Sequence, residues 1–438
     1  MENIFAAIHE HIRKGATLST DSRKIDRNTI FFALKGEKHD ANEFVEDVLS
    51  QGALAAVSSK SALKPRENLY IVPDVLDFLQ QLAKQHRDTL TIPVLGITGT
   101  NGKTTTKELV NAVLSKKHNT LATQGNYNNH IGVPLTLLQI NASHELAVIE
   151  MGANHLGEID FLCQLAMPTA GLITNTGKAH IEGFGSPENI VTAKTELYRH
   201  IIKNQGTLFV NKDNPILMQH CHDYAQLVTY SGGNEGMIKG QITASDPFLE
   251  IAFTVKTDTA SAQEITVKSK LIGDYNFENI MAAIAIGVHY GVDAASIKQA
   301  IEEYAPNNSR SQLKKTEKNT LIMDAYNANP TSMGLAIDNF YAMKAPSKML
   351  ILGDMLEMGS SAQEEHQAIV DKISTLGFYK VILVGTDFYK TTTPMKNFHV
   401  FKNTILAEQW LKENHVIGQT ILIKGSRGIQ LEKLEKLL

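Results

Sequence analysis

What most constrains this chain is the segment Gly96-Ile97-Thr98-Gly99-Thr100-Asn101-Gly102-Lys103-Thr104-Thr105. It follows an apolar, strand-like run at 92–97 and opens onto a helical run at 107–114. A glycine-rich turn between strand and helix aims backbone N–H groups at one point, and the positive end of the helix favours an anion there. Lys103 adds a mobile cation for outer phosphates, and the Thr104 hydroxyl suits Mg²⁺. The expected nucleotide-phosphate loop comprises Gly99, Thr100, Asn101, Gly102, Lys103, Thr104 and Thr105. It departs from the general P-loop pattern at one place: Ile97 stands where a glycine is usual, five residues before Gly102. Glycine-rich turns also join strands to helices without binding anything; the Gly-Lys-Thr triplet in this context favours the phosphate.

The rest of the chain supplies an α/β frame for that loop. At 438 residues it has room for two to four domains. Strand-like runs at 29–34, 53–57 and 69–72, with helices at 43–51 and 75–87, describe a small α/β module ending near Asp88. Gly52 is placed to stop the first of those helices. Strands at 147–150 and 171–174 and a helix at 157–165 then alternate as in a parallel sheet covered on both faces. Residues 240–271 alternate apolar and polar and read as a half-exposed antiparallel hairpin, followed by an alanine-rich helix at 276–290. A polar stretch at 306–310 marks a second boundary. Beyond it, strands at 320–324, 348–352, 380–384 and 420–423, with helices at 332–343 and 362–376, predict a doubly wound module without its own P-loop.

Composition narrows the class. Hydrophobic residues at 43% and charged residues at 20% describe a soluble globular protein. A net charge of −4 gives no reason to expect nucleic acid. Cys163 and Cys221 are too few for a disulfide framework and fit a reducing compartment. The apolar run at 282–288 is too short to span a bilayer, and the N-terminus lacks a basic-then-apolar signal pattern. A cytoplasmic enzyme is expected.

Three further residues invite a chemical role, each with a plainer reading beside it. Glu150 ends an apolar strand, where ligands gather in open α/β sheets, and could hold Mg²⁺ with Thr104; it could also be a solvated strand-end acid. His180 follows another strand end and could ligate a metal, although loop histidines are commonly surface residues. Lys194 lies on a predicted helix, where lysines are ordinarily just solvated.

Their order along the chain decides between these readings. After the loop come Asn126-Tyr127-Asn128-Asn129-His130-Ile131-Gly132-Val133-Pro134, Glu150-Met151-Gly152, Ala179-His180 and Ala193-Lys194. Then come Gly273-Asp274-Tyr275-Asn276-Phe277-Glu278-Asn279, Asp324-Ala325-Tyr326-Asn327-Ala328-Asn329-Pro330 and Gly353-Asp354-Met355-Leu356-Glu357-Met358-Gly359. Across essentially its whole length the chain resembles the Mur ligase family, whose loop also carries the Thr-Asn-Gly-Lys-Thr form. The last two motifs are similar to those of the branch that adds D-alanyl-D-alanine to a UDP-muramoyl tripeptide.

The resemblance implies three α/β domains: an N-terminal UDP-sugar-binding domain at 1–88, a central parallel-sheet ATPase domain at 89–307 and a C-terminal Rossmann-like domain at 308–438. It implies that ATP phosphorylates the tripeptide's free carboxylate and that the dipeptide amine attacks the acyl phosphate. The implied catalytic groups are Lys103, His180, Lys194 and Arg310. Thr104 and Glu150 would bind one Mg²⁺; His180 and Lys194, the latter carbamylated by CO₂, would hold a second. Asn276 and Asn279 match the helix start near the adenine, though capping amides would look the same locally. Arg310 would reach the γ-phosphate; Ser309 stands before it where the family often has glycine. Asp324 and Tyr326 would face ATP, while Asn327 and Asn329 would shape their turn or touch the dipeptide. Ser22 and Arg23 match the UDP-sugar site, and Asn126, Asn128 and Asn129 the muramoyl-peptide path. The implied substrates are small molecules, the expected state is a monomer, and closure of the domains on substrate is expected because the ATP site is split between them.

Two other classes stand beside this one. A folylpolyglutamate synthase shares the P-loop and acyl-phosphate chemistry but not the N-terminal module or the Asp-Ala-Tyr-Asn-Ala-Asn-Pro stretch, and a Mur ligase adding the third-position diamino acid fits the C-terminal motifs worse. A non-catalytic nucleotide-binding regulator would show losses at Lys103, Glu150, His180 or Arg310, and all four remain.

Overall fold

Three sheets follow one another along the chain in a computed structural model that describes every residue except 1, 38, 65, 234, 258–259, 307–309, 346 and 394–395. The first is a four-stranded parallel sheet of Thr17–Ser19, Thr29–Phe32, Ala55–Ser58 and Leu69–Ile71, in that order. Helices Glu2–Arg13 and Val75–Asp88 pack on one face, the latter capped by Asp74, whose Oδ1 accepts from the Asp77 N–H at 2.8 Å.

The second sheet has nine strands. Its parallel part runs from Thr120–Ala122 at one edge through Leu146–Glu150, Val94–Thr98, Ala170–Ile173 and Thr207–Asn211 to Leu227–Ser231. Ile238–Ser245 continues it in parallel, and Leu249–Thr257 and Ala260–Lys268 extend it as antiparallel strands. The hairpin expected at 240–271 is thus a three-stranded meander fused to the main sheet. Period-two alternation cannot reveal that fusion, because alternation reports which face is covered and not which strand lies alongside. Along Leu146–Glu150, Ala147 and Ile149 enter one apolar cluster while Leu146 and Val148 enter another, so both faces are covered.

The third sheet orders Gln312–Lys315, Thr320–Asp324, Thr420–Lys424, Lys348–Gly353, Lys380–Val384 and Phe398–Phe401, with only the first strand antiparallel. Leu350 and Leu352 face helices Pro330–Ala342 and Ala362–Ser374; Met349 and Ile351 face Thr404–Glu413. This is the doubly wound arrangement read from the sequence. The expected boundary between 307 and 308, and Ser309 with it, lies outside the described residues. No helix among the described residues is long and apolar enough to cross a membrane. Cys163 and Cys221 are buried and unpaired.

Candidate active site

The phosphate loop starts where the buried strand Val94–Thr98 ends. Ile97, the departure from the general pattern, is a core strand residue with no exposure, and the loop's first special backbone position is Gly99. Gly99 has φ +140°, and a Cβ there would lie 2.0 Å from Thr174 Oγ1. Gly102 has φ +79°, and its Cβ would lie 2.5 Å from Asn279 Oδ1. Both positions therefore demand glycine, sterically as well as conformationally. The helix begins at Lys103, four residues before the expected start, because Lys103, Thr104 and Thr105 already take helical geometry behind Gly102. Polar positions at the first turn of a helix carry no apolar periodicity, so the sequence pattern begins late.

Several bonds brace the loop. The Thr100 N–H donates to Asn175 O at 2.9 Å, Thr174 Oγ1 donates to Asn101 O at 2.6 Å, and Thr106 Oγ1 donates to Asn279 Oδ1 at 2.9 Å. Lys103 Nζ folds onto the loop itself, donating to Gly99 O at 2.7 Å and Thr100 O at 2.9 Å. Burial, reinforced by the Arg310 charge and opposed by Glu150, pulls its pKa down to about 8.

Glu150, at the carboxyl end of its strand, is 1% exposed. Its Oε1 accepts from Thr104 Oγ1 at 3.2 Å and from Asn128 Nδ2 at 2.7 Å. Its Oε2 is buried with no partner. A carboxylate oxygen left bare beside a hydroxyl and next to a phosphate loop is a donor set that fits a hard cation. No group of three His, Cys, Asp or Glu side chains able to hold a metal exists among the described residues. Any ion here would therefore take ligands from hydroxyl, phosphate and water as well.

These groups open into a cavity of about 1100 Å³ at the carboxyl ends of the second and third sheets. From the third sheet, Asp324 and Lys424 sit opposite each other in register, and Lys424 Nζ donates to Asp324 Oδ2 at 2.6 Å. The Arg310 guanidinium lies 3.8 Å from the centre of the Tyr326 ring, and its Nε is buried without a partner. Asn329 Nδ2 donates to Asn101 Oδ1 at 2.7 Å, so the third unit grips the phosphate loop directly. His180, held at φ +51°, is hydrogen-bonded through Nδ1 to Glu357, which itself has φ +63°. Burial lowers the His180 pKa against the raising effect of Glu357.

Most residues expected from sequence line this cavity; Gly99, Lys194, Ser22 and Arg23 do not. Lys194 is buried behind it. Its Nζ donates to Ala153 O at 3.2 Å and lies 5.2 Å from the Phe184 ring centre. Burial and the Lys103 charge bring its pKa to about 7. Arg23 is exposed and clasps Asp21 through two bonds of 2.8 Å and 2.9 Å, which holds the Asp21 carboxyl at about 2. Several asparagines also have structural work. Asn129 Oδ1 accepts from the Ile131 and Gly132 N–H groups, and Asn329 caps helix Pro330–Ala342. Asn279 Nδ2 donates to Asn276 Oδ1 at 2.9 Å, and Asn276 Nδ2 donates to Ile272 O at 2.9 Å. Neither caps its helix, because Tyr275 holds the N-cap position.

Sequence reasoning missed Lys424 and Glu357. Lys424 ends an apolar strand as Glu150 does, so the same strand-end logic would have found it. Glu357 lies inside a motif already singled out, but its reach to His180 depends on a left-handed backbone that no local pattern announces.

Similarity to known proteins agrees with this geometry. The Mur ligase middle domain matches residues 97–287, and the Mur ligase glutamate ligase domain matches residues 309–427. A UDP-N-acetylmuramoyl-tripeptide–D-alanyl-D-alanine ligase of Bacillus subtilis is 36% identical over 432 residues, covering 96% of this chain and 92% of that protein. The crystal structure of MurF from Acinetobacter baumannii is 29% identical with a TM-score of 0.84, covering 98% of this chain and 97% of that one. The MurF ligase of Thermotoga maritima, solved in complex with ADP, shares the fold with a TM-score of 0.83 at 24% identity, over 98% of this chain and 97% of that one. With a phosphate loop braced by two obligatory glycines and a cavity closed by residues of a third sheet, the chain belongs to the Mur ligase family.

Proposed function

We propose that this protein is an ATP-dependent ligase that joins D-alanyl-D-alanine to a UDP-N-acetylmuramoyl tripeptide, making the pentapeptide precursor of peptidoglycan. The observation that carries the reading is one cavity in which the Lys103 loop and Glu150 meet Arg310 from beyond the second sheet. A carboxylate oxygen is a poor leaving group, so amide formation needs the carboxylate activated first. Lys103 would leave the loop carbonyls for the β- and γ-phosphates, with the loop N–H groups beside it. Arg310, with its unpartnered Nε, would take up charge developing on the transferred phosphoryl group. The acyl phosphate then loses phosphate to the dipeptide amine through a tetrahedral intermediate. Thr104 and Glu150 would hold one Mg²⁺, which supplies charge neutralisation at the phosphates.

We further propose that Lys194 is carbamylated and joins His180 at a second Mg²⁺. Its depressed pKa leaves a share of neutral amine, the form that attacks CO₂ with loss of one proton. The domains at 1–88, 89–307 and 308–438 would carry the UDP-sugar, ATP and acceptor functions, with Ser22 and Arg23 at the first. One chain supplies every group named for the ATP site, which supports a monomer, and two buried unpaired cysteines support a cytoplasmic setting.

The test is phosphate release from ATP with UDP-muramoyl tripeptide and D-alanyl-D-alanine, omitting each in turn. Release only with all three, and a UDP-muramoyl pentapeptide by mass spectrometry, is expected. Release with a folate and glutamate instead, or ATP binding without release under any condition, would overturn the reading.

A further inference from the structure

Arg427 is a guanidinium that the ATP chemistry leaves unused. It follows the strand Thr420–Lys424, whose carboxyl end lines the active-site cavity, and its side chain is exposed. Its guanidinium carbon lies 5.6 Å from the centre of the Tyr326 ring, the same ring that Arg310 approaches at 3.8 Å. Two cations thus share one aromatic residue, and neither forms an ion pair with a carboxylate among the described residues. Cation–π contact with Tyr326 offsets part of their mutual repulsion but does not neutralise either charge. Such a pair is an arrangement waiting for anions, and more than one.

The other cations of this wall are already committed. Lys424 is paired with Asp324, and Lys178 reaches Glu365 at 3.5 Å. Arg310 is assigned to phosphate above. An acceptor dipeptide brings an amine at one end and a free carboxylate at the other, about 7 Å apart when extended. Gly428, the next residue, lies so close to Leu356 that a Cβ there would come within 2.8 Å of the Leu356 Cδ1, so the backbone that carries Arg427 is packed against the 353–359 segment.

We propose that Arg427 binds the free carboxylate of the incoming dipeptide, with Tyr326 as the platform that holds its planar fork next to Arg310. This rests on the ligase reading above. A guanidinium pairs with a carboxylate through two parallel N–H···O bonds, which gives direction as well as charge. The bound carboxylate would then aim the amine at the acyl phosphate on the Arg310 side. Arg427 is thereby a specificity residue for acceptors that end in a free acid.

The experiment compares D-alanyl-D-alanine with its C-terminal carboxamide in wild type, Arg427→Ala and Arg427→Lys, following both phosphate release and product mass. Wild type is expected to prefer the acid by about 30- to 100-fold in kcat/KM. Arg427→Ala should raise the KM for the acid by a similar factor, leave the KM for ATP within about twofold and abolish the preference over the amide. Arg427→Lys should restore part of that preference, since it returns charge without the fork. Thermal melting of each variant checks that it is folded. An Arg427→Ala enzyme that still prefers the acid, or a KM for the dipeptide that does not move, overturns the proposal while leaving the ligase assignment intact. A wild type that makes no product from either acceptor overturns the ligase reading itself.

Discussion

The seam between the first and second sheets is built of apolar side chains, whereas the seam between the second and third is built chiefly of polar contacts. At the first seam one cluster runs unbroken from Phe5, Ile8, Ile30 and Phe78 to Val94, Ile149 and Leu162. Burying Phe78 alone is worth about 2–3 kcal/mol. Arg87, 4% exposed, staples that seam by donating to Ala166 O at 2.8 Å, Leu90 O at 2.8 Å and Met167 O at 3.1 Å. At the second seam the contacts include Asn329 with Asn101, His180 with Glu357, and the Lys178 N–H with Thr331 Oγ1 at 3.2 Å. Apolar support there is slight, with Ile181, Phe248 and Ile272 against the third unit's core. An apolar seam behaves as one folded body; a polar one can open and remake its bonds with ligand. The cavity proposed above for ATP lies in the second.

The largest effect that could break this contrast is expected from Arg87→Ala. Three carbonyls lose their donor, which should cost about 3 kcal/mol in denaturant unfolding while the KM for ATP stays unchanged. A rise in that KM would show that the first seam also shapes the nucleotide site. Asn329→Ala should do the reverse. It loses a helix cap and the clasp on Asn101, for about 1–2 kcal/mol of stability, and it should raise the KM for ATP. A stability loss without a kinetic effect would make the second seam merely structural.

Next in size is ligand-driven closure of the second seam. Small-angle scattering should show compaction when an ATP analogue and UDP-muramoyl tripeptide are added together; an unchanged profile would mean that both seams are rigid.

The first seam also contains a pair of histidines that responds to pH. His86 Nε2 bonds to Ile140 O at 2.8 Å and must donate there, so its neutral Nδ1 accepts from His9 Nε2 at 2.8 Å. Burial lowers both pKa values below the ordinary 6.5, with Arg13 adding to the effect at His9 and Glu10 opposing it. The unfolded chain therefore binds more protons below pH 6.5, and the pair's contribution is present above that value and lost as pH falls through the folded values. Thermal melting between pH 7.5 and 5 should show the loss, and His86→Gln should flatten it. A pH profile identical to wild type in that variant would remove the pair from the account. The smallest effect is expected at Lys178→Ala, whose exposed pairing with Glu365 should change stability by no more than about 0.5 kcal/mol. A larger loss would show the polar seam to be stronger than its exposure suggests.

Much of the site is legible in the sequence. Gly99, Gly102 and Lys103 announce themselves because a phosphate loop is local: strand, turn and helix are contiguous, and the glycines are forced by backbone shape. Glu150 is legible as a strand end, and the apolar runs at 348–352 and 380–384 locate buried strands within a residue of their true limits. The meander at Ile238–Lys268 is not legible as part of the main sheet, because its partner strand, Leu227–Ser231, shows no special pattern. The asparagines at 129, 276 and 329 look alike in sequence, yet one makes a turn, one bonds a carbonyl within its own segment and one spans two units.

By itself, then, the sequence determined the α/β class, the phosphate loop and the kind of chemistry, since each depends on neighbours within a few residues. Tertiary structure alone decided that Arg310 and Arg427 share Tyr326, that Lys424 neutralises Asp324, that Glu357 meets His180, and that Glu150 keeps one oxygen bare. Those relations join residues separated by as many as 177 positions, and only the packing of two sheet ends against one cavity brings such charges within reach of one another.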